Sequence, residues 1–434
     1  MIQIIKGDRN TCEAFIAQLK TRDEEKGRRV DSVVAEILAA VRKDGDAAVR
    51  QYTKQFDGVE LGALELPQEE VRRLAEASAP ELRQAIAHAA ENIRAFHERQ
   101  KQQSWFETRA DGVMVGQRVR GLKRAGIYVP GGTAAYPSSV LMNAIPAKIA
   151  GVEEVVMVTP PSKDGGMNPD ILAAAVAAGV DRVFCIGGAQ AVAALAYGTA
   201  SVPKVDKIVG PGNIYVATAK KQLYGVVDID MIAGPSEILI MADETADPRY
   251  LAADLMSQAE HDVLASAILL TTSERLAEET DREIARQIAG LSRKEMIEAS
   301  LSGFGAAIVC DSIDVALDFA NTLAPEHAEI CTKNPMELLG RLDNAGSVFL
   351  GNYSPEPIGD YYAGPNHVLP TGGTARFFSP LSVDSFVKKS GFIYYTQDAL
   401  MAAKSDVITL ANAEGLTAHA TAIAVRAEEL ECMR

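Results

Sequence analysis

Little in this chain can cross-link it, bind a nucleic acid or enter a bilayer. Of its 434 residues only five are cysteine: Cys12, Cys185, Cys310, Cys331 and Cys432. They are odd in number, widely spaced and never arranged as CxxC. That excludes a disulfide framework and a thiolate zinc cluster, and it fits a reducing compartment. Cations are outnumbered, with 43 Lys and Arg against 58 Asp and Glu, a formal net charge of −15. Without an excess of cations there is nothing to displace the counterions of a phosphate backbone, so no nucleic-acid partner is expected. No apolar run approaches the ~18 residues that cross a bilayer. The opening MIQIIKGDRN lacks the basic segment and apolar core of a signal peptide. No membrane partner is expected, and a cytoplasmic location is. The dinucleotide fingerprint GxGxxG is missing too: GPGNIY and GFGAAI begin like it and fail.

Apolar residues make up 47% and charged residues 23%, the balance of a folded globular protein, and the length calls for more than one core. The first 110 or so residues are mostly helical in pattern. VDSVVAEILAAVRKDGDAAVRQYTKQFDG reads as two amphipathic helices broken at Asp44-Gly45, and PQEEVRRLAEASAPELRQAIAHAAENIRAFHERQKQ as two more, the second starting at Pro80. His88 and His97 lie on the charged surfaces of these helices and read as structural or solvated. From about residue 120, AGIYVP, EEVVMVTP, RVFCIGG and DKIVGPG read as strands alternating with helices, which implies βαβ units and a mostly parallel sheet. Near residue 236 the alternation begins again with EILIMAD, ASAILLTTS, AAIVCDS, AEICT and SVFLGNY. Two similar α/β halves are the simplest account. The last 50 or so residues return to helix.

Three strand ends are glycine-rich: YVPGG (128–132), CIGGAQ (185–190) and VGPGN (209–213). Such turns either cradle an anion at a helix N-terminus or are simply tight, and the turns alone do not decide between the two. Four of the six histidines fall in the second half, each near a carboxylate or an amide. His261 follows Gln258 in SQAEHD, His327 follows Glu326 in APEH, His367 lies seven after Asp360, and His419 lies five after Glu414. Gln258 and His261 occupy one face of the last turn of a helix that starts at Asp247-Pro248. That spacing suits an ordinary polar helix end. It also suits half of a metal site, which a carboxylate and a second imidazole would complete for zinc.

In order and spacing, GIYVPGG, IGGAQA, VDKIVGPGN, AGPSEILI, SQAEHD, APEH, GSVFLG, GDYYAGPNHVLPT and GLTAH resemble the histidinol dehydrogenase family, from about residue 30 to the end. The resemblance implies two Rossmann-like α/β domains with mostly parallel sheets, a helical N-terminal region and a small C-terminal helical arm. The domains would be 1–119, helical and packed on the second α/β half; 120–235, the NAD side; 236–380, with the zinc and catalytic residues; and 381–434, an arm exchanged in a homodimer. The implied activity is zinc-dependent oxidation of L-histidinol to L-histidine with two NAD⁺, through a bound aldehyde. By the same resemblance Gln258, His261, Asp360 and His419 hold one zinc per subunit, and Glu326 and His327 are the catalytic pair. Ser236, His367 and Glu414 join the zinc ligands and His327 in contacting substrate. Tyr128, Gln190 and Asn213 contact NAD. Glu414 and His419 would serve the neighbouring subunit's site. A related dehydrogenase of another small polar alcohol would lose residues around the imidazole and amine. A non-catalytic metal-binding scaffold would lose Glu326 or His327. All of these residues are present. A thiohemiacetal route would need a reactive cysteine, and Cys185 and Cys331 sit in apolar strands without a neighbouring cation.

Overall fold

The computed structural model describes residues 2–7, 9–21, 24–131, 136–163 and 165–432; Gly132 of the YVPGG turn lies outside them. Two compact units emerge, Met1–Lys101 with Leu122–Phe386, and Gln102–Gly121 with Val387–Arg434. The larger unit opens with strand β1 (Gln3–Gly7), helices Arg9–Thr21, Glu24–Asp44 and Asp46–Asp57, the short β2 (Glu65–Leu66), and helices Gln68–Ala75 and Pro80–Glu98. The breaks at Asp44-Gly45 and Pro80 fall where the sequence places them. Strands β3 (Trp105–Thr108) and β4 (Met114–Gly121) belong to the smaller unit. The larger unit resumes with β5 (Arg124–Tyr128), β6 (Glu154–Val158), β7 (Arg182–Phe184), β8 (Lys207–Val209) and β9 (Asp228–Ile229), then β10 (Glu237–Ala242), β11 (Ser266–Thr271), β12 (Gly305–Cys310), β13 (His327–Cys331) and β14 (Ser347–Leu350). Strand β15 (Val387–Tyr394) and helices Gln397–Ala413 and Thr417–Cys432 return to the smaller unit.

The first sheet has the order β2-β7-β6-β5-β8-β9 and is parallel apart from β2. The second has the order β1-β12-β11-β10-β13-β14 and is parallel throughout. In each, the chain runs outward from one strand and then jumps back to that strand's other side. The direction therefore reverses between β5 and β8, and again between β10 and β13, the arrangement of a doubly wound α/β fold. Strands buried on both faces explain the unbroken apolar runs: every residue of β10 and β11 is buried.

Three elements differ from the sequence reading. The N-terminal helices mostly cover the first sheet, not the second. Val34, Ile37, Leu38 and Val41 share a core with Val156 and Phe184, and Val71, Ile86 and Ile93 share one with Ile127 and Met157. Among the described residues of this region, β1 and Arg9–Thr21 join the second sheet, β1 pairing with β12. His97 is fully buried rather than on a charged surface, with Nδ1 2.8 Å from the Ile93 carbonyl. The smaller unit is not all helical, because β3, β4 and β15 form an antiparallel sheet in the order β15-β4-β3.

Candidate active site

The catalytic candidates of the second half gather at the amino ends of its strands. Glu237 opens β10 and His327 opens β13, with Ile238 in register with His327. The Glu237 backbone cradles two side chains. The Glu237 N–H donates to Glu326 Oε2 at 2.9 Å, and the Glu237 carbonyl accepts from His327 Nδ1 at 3.0 Å. Nδ1 therefore carries the ring proton, and the Nε2 lone pair is left free. That Nε2 is buried without a hydrogen-bond partner, 3.8 Å from Asp360 Oδ1. Burial lowers the basicity of His327, so the ring is neutral at pH 7. Burial also pushes the Glu326 carboxyl well above the usual range.

Asp360 lies on a wide turn, Gly359–Ala363, directly after the short helix Glu356–Ile358. Burial first, and then the neighbouring Glu356 carboxylate, push Asp360 well up. Glu356 accepts from Ser257 Oγ at 2.8 Å, and its own N–H donates to Glu329 Oε1 at 2.8 Å. Glu329 pairs with Asp254, and burial raises both, Asp254 to about 6. His327, Glu356 and Asp360 each offer a ligand atom, all within 4.8 Å of one another, and so could hold a metal ion.

Helix Pro248–Ala259 is capped by the Asp247 side chain on the Arg249 N–H, as its sequence suggests. Gln258 in its last turn is fully buried, and neither amide atom has a hydrogen-bond partner. His261 is exposed just beyond, close enough to His327 and His367 for its charge to lower their basicity. His367 places Nδ1 3.0 Å from the Asp360 carbonyl and Nε2 3.5 Å from Ser139 Oγ, on the helix Pro137–Ile149 of the first half. Burial pushes its basicity down to about 4. Ser236 directly precedes β10, half-buried, its carbonyl accepting from the Ser266 N–H. Glu414 and His419 are exposed on the helical hairpin of the smaller unit.

The candidate cofactor residues lie at the carboxyl ends of the first sheet. Tyr128 ends β5 and is buried, and its hydroxyl accepts the Gly188 N–H at 3.0 Å. Burial pushes the phenol up to about 12. Gln190 is buried with both amide atoms unpartnered. The exposed Asn213 caps helix Ile214–Leu223, its oxygen accepting from the Tyr215 and Val216 N–H groups. Gly210, at φ +108°, passes so close to β5 that a Cβ there would lie 2.2 Å from the Tyr128 carbonyl oxygen. Two glycine turns thus meet at Tyr128, beside the reversal between β5 and β8.

Sequence reasoning passed over Glu237, Asp254, Glu329 and Glu356. Glu329 carried a signal: a carboxylate between Ala328 and Ile330 inside an apolar strand needs an explanation. Cys185 and Cys331 are buried free thiols, and burial raises both, Cys185 to about 11.

An imidazole–carboxylate cluster on one sheet and glycine turns at the switch point of the other are parts that an oxidoreductase of the doubly wound α/β class uses. The sequence profile of histidinol dehydrogenase matches residues 20–427. The chain is 55% identical over 426 residues to the histidinol dehydrogenase of Clostridium acetobutylicum, covering 98% of this chain and 99% of that one. It is 56% identical over 398 residues to that of Bacillus cereus, covering 92% of each. The crystal structure of histidinol dehydrogenase from Elizabethkingia anophelis superposes with a TM-score of 0.93 at 38% identity, over 99% of both chains. The chain belongs to the histidinol dehydrogenase family. Among the described residues no helix is long and apolar enough to cross a membrane.

Proposed function

We propose that the chain oxidises L-histidinol to L-histidine in two steps, through an L-histidinaldehyde that stays bound, with two NAD⁺ and one zinc per subunit. The observation that carries this is His327. Its tautomer is fixed by the Glu237 carbonyl, and its unpartnered Nε2 faces the Asp360 carboxylate. A neutral imidazole held in this way takes the hydroxyl proton in the first oxidation. Glu326 beside it, whose carboxyl burial raises well above the usual range, serves as base for the water that hydrates the aldehyde. Ser236, His367 and Glu414 orient the substrate, together with the zinc ligands and His327.

The donor set fits zinc. Gln258 keeps two amide atoms unpaired in a fully buried position, and Glu326, Glu356 and Asp360 crowd carboxylates that a cation would relieve. Gln258, His261 and Asp360, with His419 of a second subunit, would hold the ion. Bound there, zinc would fix the substrate's amine and imidazole and so place the reacting carbon. NAD⁺, bound at the first sheet, would supply the hydride acceptor for each step. Toward it, the chain offers the Gln190 amide, the Asn213 amide nitrogen and the Gly188 turn that Tyr128 props up. The His327–Glu356–Asp360 set favours a second seat for the ion, one that would cost His327 its role as base.

NADH formation from histidinol and from histidinaldehyde, with and without chelator, tests the reading on native, Glu326→Gln and His327→Asn proteins. Loss of a positioned base lowers turnover by about 10²–10⁴. We expect His327→Asn to keep its zinc and fail on the alcohol, and Glu326→Gln to fail on the aldehyde. Near-native rates from both variants, or turnover untouched by chelation, would overturn it. Zinc lost from His327→Asn would favour the second seat.

A further inference from the structure

The cofactor reading leaves one position open. In a doubly wound sheet a carboxylate at the end of the strand beside the first commonly takes the ribose hydroxyls of a dinucleotide. Here that strand is β6, and its end reads Thr159-Pro160-Pro161-Ser162, with no carboxylate. The structure supplies one from elsewhere. Helix Asp46–Asp57 packs against helix Gly188–Tyr197. Its first residue, Asp46, accepts from Ser201 Oγ at 2.6 Å, just past the far end of that neighbour. The two helices therefore run antiparallel. Twelve and ten residues rise about 18 and 15 Å, so Asp57 arrives level with the Gly187-Gly188 turn. The chain beyond it agrees. Val59 lies against the loop after β6, where a Cβ on Gly165 would be 3.6 Å from Val59 Cγ1, and the Leu64 carbonyl accepts the Cys185 N–H at 2.8 Å at the end of β7. Asp57 Oδ2 is buried there with no hydrogen-bond partner and, among the described residues, no ion pair. Its charge is felt by Tyr128, and burial alone raises its carboxyl.

We propose that Asp57 is the ribose-hydroxyl acceptor of the dinucleotide site and selects NAD⁺ over NADP⁺, its carboxylate repelling a 2′-phosphate. This rests on the reading that the first sheet binds NAD⁺. An acceptor left unpaired without ligand, at a cost to the folded state, is what a binding role requires and a structural role does not.

The test is Asp57→Asn, compared with native protein and with Glu60→Gln, an exposed carboxylate three residues further along the chain. We expect the KM for NAD⁺ to rise about ten- to a hundredfold, the loss of one charge-assisted hydrogen bond. The KM for histidinol should stay within about twofold, and the preference for NAD⁺ over NADP⁺ should shrink. Equilibrium binding of 5′-AMP should weaken in parallel, a readout independent of turnover. The melting temperature should hold or rise, because a strained charge has been removed. Native protein that binds NAD⁺ while Asp57→Asn binds it equally well overturns the assignment alone, as does a shifted preference in Glu60→Gln instead. Folded native protein that binds no NAD⁺ overturns the cofactor reading and the assignment together.

Discussion

Lys220 and Asp230 form a buried ion pair beneath the VGPGN turn, and replacing Lys220 tests how that turn is held. The two side chains are 4% and 2% exposed, with Nζ 2.5 Å from Asp230 Oδ1. Together they grip one glycine from both sides. Nζ donates to the Gly210 carbonyl at 3.0 Å, and Asp230 Oδ2 accepts the Gly210 N–H at 2.8 Å. Asp230 Oδ1 also accepts the Met231 N–H at 2.7 Å. Lys220→Met keeps the buried stem and removes the charge. It leaves a carboxylate in the interior with only backbone donors, a loss of about 3–5 kcal/mol. Lys220→Met with Asp230→Leu removes both charges. What remains is the unpaired Gly210 carbonyl, already orphaned in the single variant, and the Gly210 and Met231 N–H groups, about 1–3 kcal/mol each at most and relieved where water can reach. The double variant should therefore be no worse than the single one, and the two substitutions should be strongly non-additive. Denaturant unfolding of native, both single and double variants gives the cycle. The same preparations should show a raised KM for NAD⁺ and little change for histidinol, because Gly210 packs on Tyr128. A Lys220→Met protein as stable as native, or simple additivity, would refute the argument.

The Asp254–Glu329 pair predicts a pH dependence of stability. Both carboxyls are raised in the folded state, so the fold holds a proton that the unfolded chain releases, and the stability this contributes is full below about pH 4. It is lost as pH rises through about 6, the folded value of Asp254. Glu329→Gln keeps an oxygen for the Glu356 N–H and offers Asp254 a donor. We expect its melting temperature to exceed native by a few degrees at pH 7–8 and to match it near pH 4; a lower value at pH 8 would sink the idea. The shared-site reading is tested by mixing inactive His261→Asn and His419→Asn chains after reversible dissociation. A hybrid dimer would then have one site with both defects and one with neither, so activity should return to about half the native value per hybrid. A mixture that stays inactive means the arm serves its own chain.

The α/β core was legible because its strands are short apolar runs, such as EILIM and AILLT, set between turn signals and longer helical segments, even where those helices, such as Gly188–Tyr197, are themselves nearly all buried. Where burial does not pattern the chain, legibility fails. The strand Trp105–Thr108 is exposed along its whole length, and Gln3–Gly7 becomes a strand through pairing with β12, a partner some 300 residues away. At the site the same division holds. Gln258, His261, Glu326, His327 and Asp360 stand in distinctive local motifs. The Glu237 cradle works through backbone atoms and leaves no trace in residue type. Asp254 and Glu356 look like ordinary surface acids until the fold turns them inward beside Glu329. Asp57 likewise reads as the polar end of an amphipathic helix.

The candidate residues gather at opposite edges of the two sheets, and the helices there give those edges opposite electrical character. At the carboxyl edge of the first sheet the flanking helices begin, so their N-terminal N–H groups carry partial positive charge, a bias toward an anion. At the amino edge of the second sheet the helices end. Pro248–Ala259 runs out at Gln258, and Ile313–Leu323 stops at Ala324, at φ +52° just before Glu326 and His327. Each of these ends directs about half a negative charge along its axis. The backbone there is biased toward a cation before any side chain is counted. The same architecture, turned over, becomes a trap for the opposite charge.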